Sequence, residues 1–223
     1  MSQLKIFKFK ICESTQSEAF KLFQNNEQAP FAVVADEQTS GKGRLDREWL
    51  MQKDSSLALS LGWRTKRRDL SGLSLVIGLG IHQYLQDSRL RLKWPNDLML
   101  QDKKVGGILI ETRFVENEVF LVIGIGLNLF SFREFEGIGR GVDPESLLEF
   151  LVSQIKVFEE SGFSSFQSDF EDFLWKKNEK VFFRNVSSQD IWGTIRGVNS
   201  SGALILEEGG RLNLEMSGEI VHE

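Results

Sequence analysis

Cysteine is almost missing from this chain of 223 residues: Cys12 is the only one, so no disulfide can close within it. That fits a reducing compartment. Histidine is nearly as scarce, with His82 and His222 far apart, which leaves no ligand set for a zinc site. No run of about 18 apolar residues occurs, so no helix is expected to span a membrane. Lys5, Lys8 and Lys10 interrupt the first stretch, which therefore lacks the apolar core of a signal peptide, and the cytoplasm is the default location. Long blocks of like charge are also missing, and the net charge is -5, which argues against a nucleic-acid partner. What the chain does have is Phe, 18 of them, and that supplies ample volume for a core.

Periodicity outlines the elements. Phe7, Phe9 and Ile11 alternate with lysines as a strand does. Thr15-Gln16-Ser17-Glu18 has the form of a capping box opening a helix to about Gln24. Phe31 to Ala35 is a short apolar strand, and residues 36–48, polar and without period, form a loop. Leu57, Leu59, Leu61 and Trp63 alternate; Leu73, Ile77, Ile81 and Tyr84 follow a helical spacing that leaves His82 at the surface. Leu90, Leu92 and Trp94 form a strand stopped by Pro95, a hairpin joins 98–100 to 105–112, and Val119 to Gly124 is a further strand. Asp143-Pro144 opens a helix to about Glu160, and a second begins near Ser164. From about Asn178 short β runs alternate with turns at 199–202 and 208–210. The pattern is α+β, with a main domain at 1–177 and a small C-terminal β-barrel at 178–223.

Three segments carry more than scaffold. In Gly41-Lys42-Gly43-Arg44-Leu45-Asp46-Arg47-Glu48-Trp49 cations interleave with glycines, which let backbone N–H groups approach an anion. Arg and Lys add charge-assisted bonds to phosphate or carboxylate. The spacing is not that of a Walker loop. In Lys93-Trp94-Pro95-Asn96-Asp97 polar groups fall where a strand breaks. Further on, Lys104-Val105-Gly106-Gly107-Ile108-Leu109 places two glycines inside a strand, a sign of close ligand approach. Gly124-Ile125-Gly126-Leu127-Asn128 lacks the third glycine of a dinucleotide fingerprint.

In order and spacing these strings resemble the biotin protein ligase family, from Ser14 to the C-terminal barrel. The resemblance implies a mixed-sheet catalytic domain similar to the class II aminoacyl-tRNA synthetase core. It implies activation of biotin by ATP, with Mg²⁺, to biotinyl-5'-AMP, and transfer to one lysine of a biotin carboxyl carrier protein. Ser14, Thr15 and Gln16 would line the biotin ring pocket, with Gln38, Lys42, Gly43, Arg44, Lys104 and Gly107 also binding biotin. Lys42, Arg44, Trp49, Asn96, Lys104 and Asn128 would bind ATP. Arg44, Lys104 and Asp97 would be catalytic, Asp97 by aiding attack of the carrier lysine. No metal-ligand set is implied, and no DNA or membrane partner; the chain would be a monomer or homodimer.

The chain departs from the family pattern at three places. Gln16 replaces Asn and is one methylene longer, Lys42 replaces Arg and cannot form a bidentate fork, and Asp46 stands where Gly is frequent. Two alternatives stay open. A ligase for lipoate or octanoate would carry a different Arg/Gly signature with a histidine. A biotin-sensing regulator would need a helix-turn-helix, and the first strand begins within about ten residues of Met1.

Overall fold

The computed structural model describes residues 4–185 and 190–221. The elements are β1 (Lys5–Cys12), α1 (Thr15–Gln24), β2 (Phe31–Gln38), β3 (Ser56–Thr65), α2 (Leu73–Leu85), β4 (Leu90–Lys93), β5 (Asp97–Leu100), β6 (Lys103–Val115), β7 (Glu118–Asn128), α3 (Pro144–Ser161), α4 (Gln167–Asp172), β8 (Lys180–Arg184), β9 (Ile191–Val198), β10 (Leu204–Glu208), β11 (Arg211–Glu215) and β12 (Glu219–Val221). The chain divides into two units, Met1–Asp69 with Asp102–Val152, and Leu70–Gln101 with Ser153–Glu223. The fold is α+β, with a mixed sheet and a second, antiparallel sheet. Among the described residues no helix is long and apolar enough to cross a membrane.

In the first unit the strands run β1-β2-β3-β7-β6. β1 and β2 are parallel, so the chain must cross over between them, and α1 is that crossover. The other pairs are antiparallel. Because side chains alternate along each strand, register assigns every residue to a face. One face carries Leu59, Ile125 and Ile108 in one row, and Leu61, Ile123 and Ile110 in the next. The opposite face carries Ala35, Ala58, Gly126 and Gly107 in one row, then Val33, Ser60, Gly124 and Leu109, then Phe31, Gly62, Val122 and Glu111. α1 covers one end of this second face: Ala19, Phe20 and Phe23 cluster with Phe31, Val33 and Val122. Phe23 stacks on Phe120, with centroids 4.9 Å apart. Phe31's ring lies where a Cβ on Gly62 would be. Beyond that cluster the face carries glycines and small side chains, and Gln16 and Trp49 pack against them.

The helix cap differs from the sequence expectation by one residue. Ser14, not Thr15, is the N-cap, and its side chain accepts from Gln16 N; Glu18 pairs with Lys21 instead of closing a capping box. β2 continues to Gln38, so the loop begins later than residue 36. The predicted cap of α3 is present: Ser146 N donates to Asp143 at 2.9 Å, and that bond together with the Ser146 hydroxyl holds the Asp143 carboxyl below its ordinary pKa.

In the second unit α2 is apolar almost all round and is buried on most sides. β4 and β5 pair as a hairpin. The antiparallel sheet runs β11-β10-β9-β8-β12, with Val181, Phe183, Ile195, Leu204, Leu206 and Ile220 turned inward. β12 had no counterpart in the sequence reading.

His82 does not lie at the surface. It is 6% exposed and packs against Phe173 with centroids 3.8 Å apart, and neither ring nitrogen has a hydrogen-bond partner. A helix buried on most sides has no polar face on which to put it. Burial holds the imidazole pKa below its ordinary value; Arg91 acts in the same direction and Asp87 opposes it. The unfolded chain therefore binds a proton that the folded chain resists, and stability falls as pH drops below about 6.5. His82→Leu should flatten that dependence. Urea midpoints of both proteins above and below this pH will show it, and equal slopes would contradict the assignment.

Candidate functional site

A buried polar chain runs beneath the start of α1. Gln38, at the end of β2, accepts through Oε1 from Thr15 N at 2.7 Å and Thr15 Oγ1 at 3.1 Å. Ser60 Oγ lies 2.9 Å from Thr15 Oγ1 and 3.0 Å from Gln16 Oε1. Gln16 Nε2 donates to the carbonyls of Val122, at 3.0 Å, and Leu109, at 3.4 Å. Ser14, Thr15, Gln16 and Ser60 are all buried. Glycine is what admits Gln16: a Cβ on Gly124 would collide with its Oε1. The longer side chain at position 16 thus reaches past the pocket into the sheet, and both ends of its amide are satisfied there.

One row along, Gly126 and Gly107 sit opposite each other, and the Trp49 indole occupies the space a Cβ on Gly126 would need. Lys104 Nζ stands 6.0 Å from the Trp49 ring centroid. Trp49 Nε1 is buried without a partner. Nearby in sequence, Asn128 is 3% exposed; its Nδ2 donates to Glu136 O at 3.1 Å, and its Oδ1 has no partner.

The glycine-rich loop is ordered by bonds across itself. Trp49 N donates to Gly41 O at 2.9 Å, Gly43 N to Arg47 O at 2.7 Å, and Lys42 bridges to Glu48 through the backbone. Its base is tied to the turn before α1, with Thr39 N on Cys12 O and Ser40 N on Glu13 O. Leu45 and Asp46 form the tip in the left-handed region, at φ 55 and 57. Glycine is relaxed in that region, whereas Asp is only tolerated, so the Asp46 departure carries a conformational cost at an exposed tip. Residues 40–48 line a cleft of about 720 Å³ together with Leu109 and Glu111. Glu111 Oε2 is buried there without a partner.

The structure therefore brings together Ser14, Thr15, Gln16 and Gln38, and separately Trp49 with Lys104 and the Gly107 row; Lys42, Gly43 and Arg44 line the cleft. Asn96 and Asp97 belong to the second unit. There Asp97 pairs with Lys93 across the β4–β5 hairpin. The turn is held by Trp94, 2% exposed, whose Nε1 donates to Gly202 O at 2.9 Å and whose ring lies 5.9 Å from Phe183. Ser74 Oγ bonds the Pro95 carbonyl at 2.9 Å.

Sequence reasoning missed Ser60 and Glu111. The alternation of Leu57, Leu59 and Leu61 set Ser60 on the other face, so both residues were visible only through strand register.

A sequence model described as the biotin/lipoate A/B protein ligase family matches residues 9–128. The chain belongs to that family. Among its relatives is the bifunctional ligase/repressor BirA of Escherichia coli, 33% identical over 214 residues, covering 85% of this chain and 65% of that protein. The chain thus spans just under two thirds of the length of that relative. A biotin--[acetyl-CoA-carboxylase] ligase of Paracoccus denitrificans is 30% identical, covering 87% of this chain and 90% of the relative. Among solved structures, a biotin protein ligase from Aquifex aeolicus in complex with biotin and ATP superposes with a TM-score of 0.81, at 28% identity and 97% coverage of both chains.

Ser60 joins Thr15 to Gln16 in the buried polar chain. Ser60→Ala should destabilise the protein by about 1–3 kcal/mol, because Gln16 Oε1 then lacks its donor in a dry site. Urea unfolding will measure this; no loss would mean that the oxygen finds another donor.

Proposed function

We propose that the chain is a biotin protein ligase, which activates biotin with ATP and transfers it to a lysine of a biotin carboxyl carrier protein. The observation that carries this reading is a buried polar chain at the start of α1, on the same sheet face as Gly107, beside a loop that brings Lys42, Arg44 and Arg47 to one cleft. A bicyclic ligand with a carboxylate tail needs such polar partners, and an adenylate needs the cations.

In the first step a carboxylate oxygen of biotin attacks the α-phosphorus of ATP, and pyrophosphate leaves. No protein nucleophile is required; the work is charge neutralisation and alignment. Lys42, Arg44 and Lys104 take the phosphate charge in this reading. Ser14, Thr15, Gln38, Gly43 and Gly107 shape the biotin pocket, and Trp49, Asn96 and Asn128 border the nucleotide. Gln16 acts through Ser60 and the sheet, since its amide is engaged there. In the second step the carrier lysine amine attacks the carbonyl of the mixed anhydride and AMP leaves, with Asp97 aiding the amine. The loop from Thr39 to Trp49 covers the adenylate and keeps water from it.

Among the described residues no group of three or more His, Cys, Asp or Glu could hold a metal ion. Mg²⁺ enters this reading with the nucleotide, bound through its phosphates. The division into a catalytic domain at 1–177, similar to the class II synthetase core, and a C-terminal barrel at 178–223 belongs to the same reading. So does a cytoplasmic setting, where ATP and carrier meet.

Labelled biotin should pass to an isolated carrier domain only with ATP and Mg²⁺, and Lys104→Ala should slow transfer about 100-fold or more. A protein that binds biotin and transfers none would instead be a sensor, with Lys42 and Asp46 the residues to revert. Arg44→Gly should release adenylate and label bystander lysines. If that variant labels the carrier alone, Arg44 does not retain the intermediate.

A further inference from the structure

β11 ends the antiparallel sheet, and among the described residues its pairing partner is β10. The two are joined by Gly209-Gly210, both at positive φ (56 and 82), as in a type I′ turn. In such a hairpin the closing pair, Glu208 with Arg211, exchanges both backbone bonds, and bonded pairs then alternate. Arg211, Asn213 and Glu215 therefore spend their backbone groups on β10. Those of Leu212 and Leu214 point to the open side. The side chains of Leu212 and Leu214 lie on one face and are 65% and 58% exposed. Edge strands are ordinarily protected by charge, proline or a bulge; β11 has no proline or bulge, and its charges, Arg211 and Glu215, stand at its two ends with Leu212, Asn213 and Leu214 between them.

We propose that β11 is a self-association edge, where two copies of this chain pair antiparallel about a twofold axis through Asn213. The sequence Arg211-Leu212-Asn213-Leu214-Glu215 is its own complement in this arrangement. Arg211 falls opposite Glu215 of the second copy, at both ends of the pairing. Leu212 falls opposite Leu214, so the residues with outward backbone groups meet each other and can close four bonds. Centring the axis on Leu212 or Leu214 keeps part of the ladder and loses both ion pairs. An offset of half a residue sets outward groups against inward ones. One Glu215 oxygen already accepts from Asn185 Nδ2, and a carboxylate has capacity for a further donor. A short strand pair buries little area, so the dimer is a weak, concentration-dependent one. Its isologous geometry closes at two copies.

Sedimentation equilibrium of the full chain, from low micromolar to submillimolar, should show the average mass rising from monomer toward dimer and no further. Arg211→Glu alone and Glu215→Arg alone should each weaken association roughly tenfold or more, since both ends become repulsive. The double swap should restore it, and so should an equimolar mixture of the two single variants. Far-UV circular dichroism checks that each variant is folded. Four results would overturn the proposal: a monomer at every concentration, open-ended growth, a dimer indifferent to Arg211→Glu, or a double swap that fails to recover. The first of these would leave the edge to a different partner.

Discussion

The site depends on a close approach of helix to sheet that only missing side chains permit. Gln16 stands over Gly124 and Trp49 over Gly126, each in space that a single methyl group would fill. The helix end can then bond directly to strand carbonyls, at Val122 and Leu109, and it is fixed without a large apolar contact at that point. Further along the same face Phe20, Phe23 and Phe31 provide ordinary packing. One sheet face thus changes from apolar core to polar and indole packing within two rows, through a change in side-chain size and not in backbone.

Electrostatics complete what the packing begins. The loop at 40–48 brings Lys42, Arg44 and Arg47 to the cleft that Glu111 also lines. Asp46, Glu48 and Glu111 line the same cleft, so three carboxylates offset part of that positive charge. The loop's internal bonds leave its tip, Leu45 and Asp46, as the residues outside the regular backbone regions. Asp46 combines a strained backbone with a negative charge, so replacing it by glycine acts on conformation and on potential together.

The strands and helices were legible because their periods are strong. The alternation in β3 and the glycines at 106, 107, 124 and 126 pointed at β3, β6 and β7, while register alone put Gly107, Gly124 and Gly126 on one face and Gly106 on the other. Other features depend on partners distant in sequence. Ser60 became visible only when register set it beside Gln16, and Glu111 only as part of the row of Gly62 and Val122. His82 was misplaced because helical spacing ranks faces by hydrophobicity, and α2 is buried on most sides with no strong ranking to find. The N-cap moved to Ser14 because two neighbouring hydroxyls can both cap, and Gln38 takes the second. Pairing within the C-terminal sheet followed from its turns, whereas β12, three residues long, is too short to show a period.

Trp94 gives the second unit an unusual form of dependence. Its indole hangs on the carbonyl of Gly202, in a turn drawn tight by Asn199 Oδ1, which accepts from the backbone of Ser201 and Ala203. Gly202 in turn leaves no room for a Cβ against Gly72 at the start of α2. The position of Asn96 and Asp97 is therefore inherited from a hairpin about a hundred residues further along the chain. In a genetic screen, damage to that hairpin would sort with damage to the Asn96–Asp97 turn.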